Sequence, residues 1–132
     1  MQYEPGLSRS QLIDLATQKY FANVDAKNMD ATLACFHDEA LFCVQTAFTR
    51  HSGKAEIRRM FEDFFAGYAE IVHKDFNCTV DEKNGRIAAS FEAVLTDHDG
   101  EVTRLLNTNF WRVCDGKFQE VYVYMSGANP LV

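Results

Sequence analysis

Asp25 and His73 are the residues in this chain best suited to chemistry. Asp25 closes a long amphipathic N-terminal segment, and His73 opens an extended one, Glu70-Ile-Val-His-Lys-Asp-Phe-Asn77. An imidazole changes charge near neutral pH. A carboxylate on one ring nitrogen fixes its tautomer and makes the other nitrogen a better base. Joined inside an apolar cavity, the two would abstract a proton. Their separation along the chain does not bring them together. An aspartate in a turn is also an ordinary cap, and a histidine near a strand start an ordinary structural group. Both readings stand at this level.

The other reactive side chains make no pattern. Cys35, Cys43, Cys78 and Cys114 are far apart without C-x-x-C spacing, and read as small core hydrophobes. The histidines at 37, 51, 73 and 98 lack metal-ligand spacing, so no metal site and no cofactor is expected. His37, His51 and His98 fall in turns or edges and read as solvated. A net charge of −6, with no basic run and no phosphate loop, argues against nucleic acid and acidic membrane surfaces. Neither a signal pattern nor a bilayer-length apolar stretch is visible, so a cytoplasmic protein is expected. At 132 residues and 47% hydrophobic, the chain suits one folded domain, 1–132.

The elements that must position the pair follow from periodicity. Ser8 or Ser10 caps a first helix whose apolar residues, from Leu12 to Val24, recur at three and four residue steps. Asp30 caps a short second helix carrying Leu33, Ala34 and Phe36. Residues 40–44 and 48–51 read as short strands, and a third helix carries Ile57, Met60, Phe61, Phe64, Phe65 and Tyr68. Strands over 71–80, 86–96, 101–114 and 117–126 follow, separated by turns rich in Asp and Gly. Helices first and an antiparallel meander afterwards give an α+β fold, with helices on the concave side of one curved sheet.

Alternation then sorts the faces. The inward sets are Phe42 and Val44; Ile87, Ala89, Phe91, Ala93 and Leu95; Leu105, Asn107, Asn109 and Trp111; and Val121, Val123 and Met125. Two amides on one strand face are costly to bury unpartnered, so they face either solvent or a ligand. Phe42, Val44, Phe64, Phe91, Asn107, Trp111, Val123 and Met125 are the expected pocket lining, suited to a small apolar or aromatic molecule. A pocket filled by Phe42, Phe64, Phe65 and Phe91 would instead mark a structural dimerisation domain. Arg104, Arg112, Glu120, Tyr122 and Tyr124 belong to the outer face, a candidate homodimer surface.

Over nearly the whole length the chain resembles the nuclear transport factor 2-like superfamily, as a single SnoaL-like domain. Tyr20-Phe-Ala-Asn-Val-Asp25, Asp30, Cys35-Phe-His-Asp-Glu-Ala40 and Gly53-Lys-Ala-Glu-Ile-Arg58 resemble its opening half, and Asn109-Phe-Trp-Arg-Val-Cys-Asp-Gly116 its closing hairpin. The resemblance implies a cone-shaped curved sheet, the cystatin-like α+β barrel. In the ketosteroid isomerase branch Tyr20 matches a donor tyrosine and Asn109 an acidic donor, whereas Val44 occupies the base slot. In the scytalone dehydratase and hexachlorocyclohexane dehydrochlorinase branch, Asp25 matches the orienting aspartate and His73 the base. The dehydratase's second histidine has no counterpart here, nor has the dehydrochlorinase's arginine near Val113. The resemblance thus implies a cofactor-independent lyase or isomerase with Asp25, His73, Tyr20 and Asn109 as catalytic residues. The alternative is a non-catalytic ligand-binding or dimerisation module of the same fold.

Overall fold

The computed structural model describes residues 4–132. Helix α1 (Arg9–Asp14) starts at Ser8, whose side chain accepts from the Gln11 backbone N–H while the Gln11 side chain accepts from the Ser8 N–H. That reciprocal pair is a capping box. The helix then widens into a π-helical stretch (Leu15–Phe21) before ending as α2 (Ala22–Asp25). The Ala22 N–H donates to the Thr17 carbonyl, five residues back. The apolar spacing does not distinguish this widened turn from an ordinary one, because Tyr20 and Phe21 are both buried either way.

Helix α3 (Met29–Leu33) is capped by Asn28, whose Oδ1 accepts from the Ala31 N–H at 3.1 Å. The expectation that Asp30 caps it is therefore corrected: Asp30 lies inside the first turn. Phe36, expected on that helix, instead opens strand β1 (Phe36–Val44) and lies beside Phe118. After a 3-10 turn (Gln45–Ala47) come β2 (Thr49–Ser52) and α4 (Lys54–Gly67), whose stripe Ile57, Met60, Phe61, Phe64 and Phe65 is buried. Strands β3 (Glu70–Asp81), β4 (Arg86–Thr96), β5 (Val102–Cys114) and β6 (Lys117–Tyr124) complete the chain. Gly85 closes the β3–β4 turn at φ +64, and a Cβ there would lie 2.7 Å from the Val113 carbonyl oxygen. Only glycine meets both conditions.

One curved, unclosed sheet results, in the order β2-β1-β6-β5-β4-β3. The meander β3 to β6 is antiparallel, as its turns predict. β1, however, pairs parallel to β6, a long-range junction that no turn announces. On β4 and β5 the alternation holds, with Ile87, Ala89, Phe91, Ala93 and Leu95 and then Leu105, Asn107, Asn109 and Trp111 buried. Among the described residues, no helix is long and apolar enough to cross a membrane.

Candidate active site

β3 is an edge strand, so some of its N–H groups point away from the sheet and need another partner. Asp25, the last residue of α2, supplies one. Its Oδ2 accepts from the His73 backbone N–H at 2.8 Å, while its Oδ1 lies 2.6 Å from His73 Nδ1. A carboxylate at a helix C-terminus opposes the helix dipole, so a specific partner accounts for it there. A carboxylate only accepts. Nδ1 therefore carries a proton, and in the neutral ring the lone pair is on Nε2.

The imidazole is also held on its faces. Phe21, from the π-helical turn, stacks on it at 4.4 Å and 28°, and Phe91 approaches at 5.6 Å. Phe76 also stacks on Phe21, at 5.2 Å. It reaches that position because β3 shifts register between Lys74 and Asn77, with Asp75 in the left-handed region at φ 59. Aspartate tolerates that conformation better than most residues. Only 8% of the His73 side chain is exposed, against 24% for Asp25.

His73 shares its cavity with Tyr20, Asn107 and Asn109. Burial, reinforced by Cys35 and Asp25, pushes the Tyr20 phenol far above its ordinary range, so it stays protonated and able to donate. Phe42, Phe64, Phe91, Val123 and Met125 line the same space, as expected. Val44 and Trp111 do not. Val44 is wholly buried in the core. Trp111 stacks on Phe118 at 5.7 Å, because β5 runs past the cavity and its last inward residues fill the closed end. The cavity measures about 30 Å³, where one water needs about 10–15 Å³. None of its lining residues is Lys, Arg, Asp or Glu.

The sequence reading missed part of the wall. Phe21 and Val24 belong to the same helical stripe as Tyr20, and Phe61 lies one turn before Phe64, so their periodicity was available. Pro130 and Leu131 also line the cavity, from a segment outside any helix or strand. His51 secures that segment: its Nε2–H donates to the Leu131 carbonyl at 3.0 Å, and its Nδ1 accepts from Arg59 at 3.4 Å. His51 is thus 3% exposed rather than solvated. His37 is half-buried against the Cys114 carbonyl, which corrects that expectation too. His98 is exposed, with Nε2 at 2.8 Å from the Ala66 carbonyl. Among the described residues no group of three or more His, Cys, Asp or Glu is arranged to hold a metal.

A family model described as the SnoaL-like domain matches residues 17–121. The chain belongs to the SnoaL-like family. The nuclear transport factor 2-like fold implied by the sequence resemblance is therefore the observed one. Solved structures agree. A candidate polyketide cyclase from Xanthomonas campestris pv. campestris superposes with a TM-score of 0.78 at 21% identity, covering 88% of this chain and 90% of its own. A candidate aromatic ring hydroxylase from Novosphingobium aromaticivorans gives 0.78 at 24% identity, with 92% and 90% covered. A candidate ketosteroid isomerase from Kribbella flavida gives 0.70 at 21%, with 91% and 81% covered. At these identities the likeness concerns the fold alone. No curated protein matches the sequence significantly.

Proposed function

We propose that the protein is a cofactor-independent lyase or isomerase that abstracts a proton from a small, uncharged, mostly apolar molecule. The single observation that carries this reading is the Asp25–His73 hydrogen bond at the wall of an apolar cavity. His73 Nε2 takes the proton as the substrate C–H bond breaks, and Asp25 stabilises the imidazolium that forms. The C–H electron pair moves into an enolate, whose oxygen receives hydrogen bonds from the Tyr20 hydroxyl and the Asn109 amide. The proton then returns to a different carbon, or a leaving group departs from the neighbouring one. His73→Ala lowers turnover by about 10²–10⁴-fold. Unchanged turnover in that variant on an identified substrate refutes the base assignment.

The unpartnered amide oxygens of Asn107 and Asn109 also fit a second reading, a module that binds a ligand without converting it. It predicts a substrate-sized ligand retained unchanged through prolonged incubation, as followed by NMR. We further propose a homodimer through the outer sheet face. The exposed Val102, Leu106, Phe110 and Tyr124 support it. Sedimentation of Leu106→Lys as a monomer, against a dimeric parent, is the expected result. Four free thiols, at Cys35, Cys43, Cys78 and Cys114, support a reducing, cytoplasmic setting.

A further inference from the structure

A cavity of about 30 Å³ has room for water but not for an organic molecule, so a ligand enters only if part of the wall moves. Most of that wall stands on helices and strands, whose backbone hydrogen bonds hold it in place. Met125, Pro130 and Leu131 are the exceptions, since they follow β6 in a segment without regular structure. Leu131 is only 8% exposed, so this segment plugs the cavity rather than skirting it.

The attachment of the segment suits a moving part. Among the described residues, no backbone–backbone hydrogen bond joins residues 126–132 to the rest of the fold. Each hydrogen bond to them runs through a side chain. At the near end, Ser126 Oγ accepts from the Leu106 N–H at 2.8 Å and fixes the chain to β5. Gly127 then passes so close to Leu105 that a Cβ would lie 2.7 Å from Leu105 Cδ2. A glycine clears that side chain and leaves the backbone free to pivot. Asn129 Oδ1 accepts from the Leu131 N–H at 2.8 Å, closing a small turn around Pro130 that moves as one piece.

Three bonds hold the turn down. His51 Nε2–H donates to the Leu131 carbonyl at 3.0 Å, Asn129 Nδ2 to Thr49 Oγ1 at 3.3 Å, and Arg59 Nη2 to the Val132 carbonyl at 3.2 Å. Releasing them and the Leu131 side chain costs less than breaking the sheet, because each such bond is modest in water. We propose that residues 127–131 form a gate, hinged at Ser126 and Gly127 and latched by His51, whose opening admits ligand to the inner cavity. Bound ligand takes the space that Leu131 fills here. This rests on the cavity as the ligand site, but not on His73 as the base.

Thiol labelling tests the gate without a known ligand. Ala93, 2% exposed and in the cavity wall, is replaced by cysteine, and the intact protein is treated with methyl methanethiosulfonate. Peptide mass mapping follows the labelling rate at position 93. That rate is expected to stay level in low urea, as local opening requires, whereas global unfolding would make it climb. His51→Ala is expected to raise it about three- to tenfold, still without urea dependence. A disulfide between Thr49→Cys and Asn129→Cys, which pins the turn to β2, is expected to lower it about tenfold or more. Val123→Cys, also in the cavity wall, is the second probe if Ala93→Cys folds poorly. A rate that climbs with urea as steeply as global unfolding overturns the gate, and so does a rate that the disulfide leaves unchanged. His73→Ala is expected to preserve the effect of the disulfide whatever its turnover, so failure of the gate and failure of the base are read separately.

Discussion

The two faces of β5 treat polar residues in opposite ways. On the inner face, Asn107 and Asn109 are buried with amide oxygens that bond to nothing among the described residues. Toward the outer face, Arg112 Nη1 donates to Glu120 Oε2 at 2.6 Å, and the Tyr122 hydroxyl donates to Glu120 Oε1. Arg104 likewise donates to Glu92 at 2.9 Å. The outer groove that contains Arg112, Glu120 and Tyr122 is much the larger hollow, about 310 Å³ against about 30 Å³. Volume alone would not favour the inner cavity. Unmet hydrogen-bonding capacity supports the inner cavity as the proposed site, because the outer groups have already satisfied one another and a ligand there would have to displace those bonds.

The sharpest way to break this contrast is to remove Asp25. Asp25→Ala leaves both the His73 backbone N–H and its ring unpartnered, and frees the tautomer. Turnover is expected to fall about 10²-fold or more, with a loss of about 2 kcal/mol in urea unfolding. A fully active and equally stable variant would show that the dyad is ornamental.

His51→Ala comes next. It removes the donor that holds the Leu131 carbonyl and the acceptor for Arg59. The expected loss is about 1–2 kcal/mol, together with faster amide exchange at Leu131, measured by hydrogen–deuterium exchange. Unchanged exchange would mean that Asn129, which accepts from the Leu131 N–H at 2.8 Å, holds the segment by itself.

On the outer face the expected effects are smaller. Arg112→Ala is expected to cost about 1 kcal/mol or less, and less still at high salt, since the pair is partly solvated. Within the pair of faces the sign is diagnostic: truncating Arg112 lowers stability, whereas Asn107→Leu raises it.

The smallest effect is on pH dependence. Burial pushes the Glu120 carboxyl up, but hydrogen bonds from Tyr122 and Arg112, with the Arg86 charge, bring it below its ordinary range. A depressed folded value stabilises the native state above the ordinary carboxylate range, and that contribution is lost as pH falls through it. Tyr122 moves the other way. Burial and Glu120 push it up to about 12, so its contribution is complete below the ordinary phenol range and fades as pH rises toward 12. Tyr122→Phe should flatten the alkaline arm of a stability–pH curve measured by chemical unfolding. A curve identical to the parent's would show that the Tyr122–Glu120 bond contributes nothing in solution.

Much of this scaffold was legible in the sequence, for local reasons. The apolar spacing of Leu12 to Val24 and of Ile57 to Phe65 marks two helical faces. Strict alternation along residues 87–95 and 105–111 marks which side chains face inward, including both asparagines. Those signals depend on neighbours two to four residues away, and turn residues such as Gly85 preserve them. Val44 and Trp111 show the limit: alternation gives the face of a strand, but not how far along it the cavity extends.

What the sequence determined by itself was therefore the element order, the inner and outer faces, and the residue types able to do chemistry. Only the tertiary structure decided that the Asp25 carboxylate meets the backbone N–H and the ring Nδ1 of His73, since that contact depends on a helix end covering the free edge of β3. It also decided the parallel β1–β6 junction, the burial of His51 and the Pro130–Leu131 wall. Each joins distant segments through packing and hydrogen bonds that leave no periodic trace. The physical reason is the same in each case: periodicity records which face an element buries, whereas the partner it is buried against is set by how the whole chain packs.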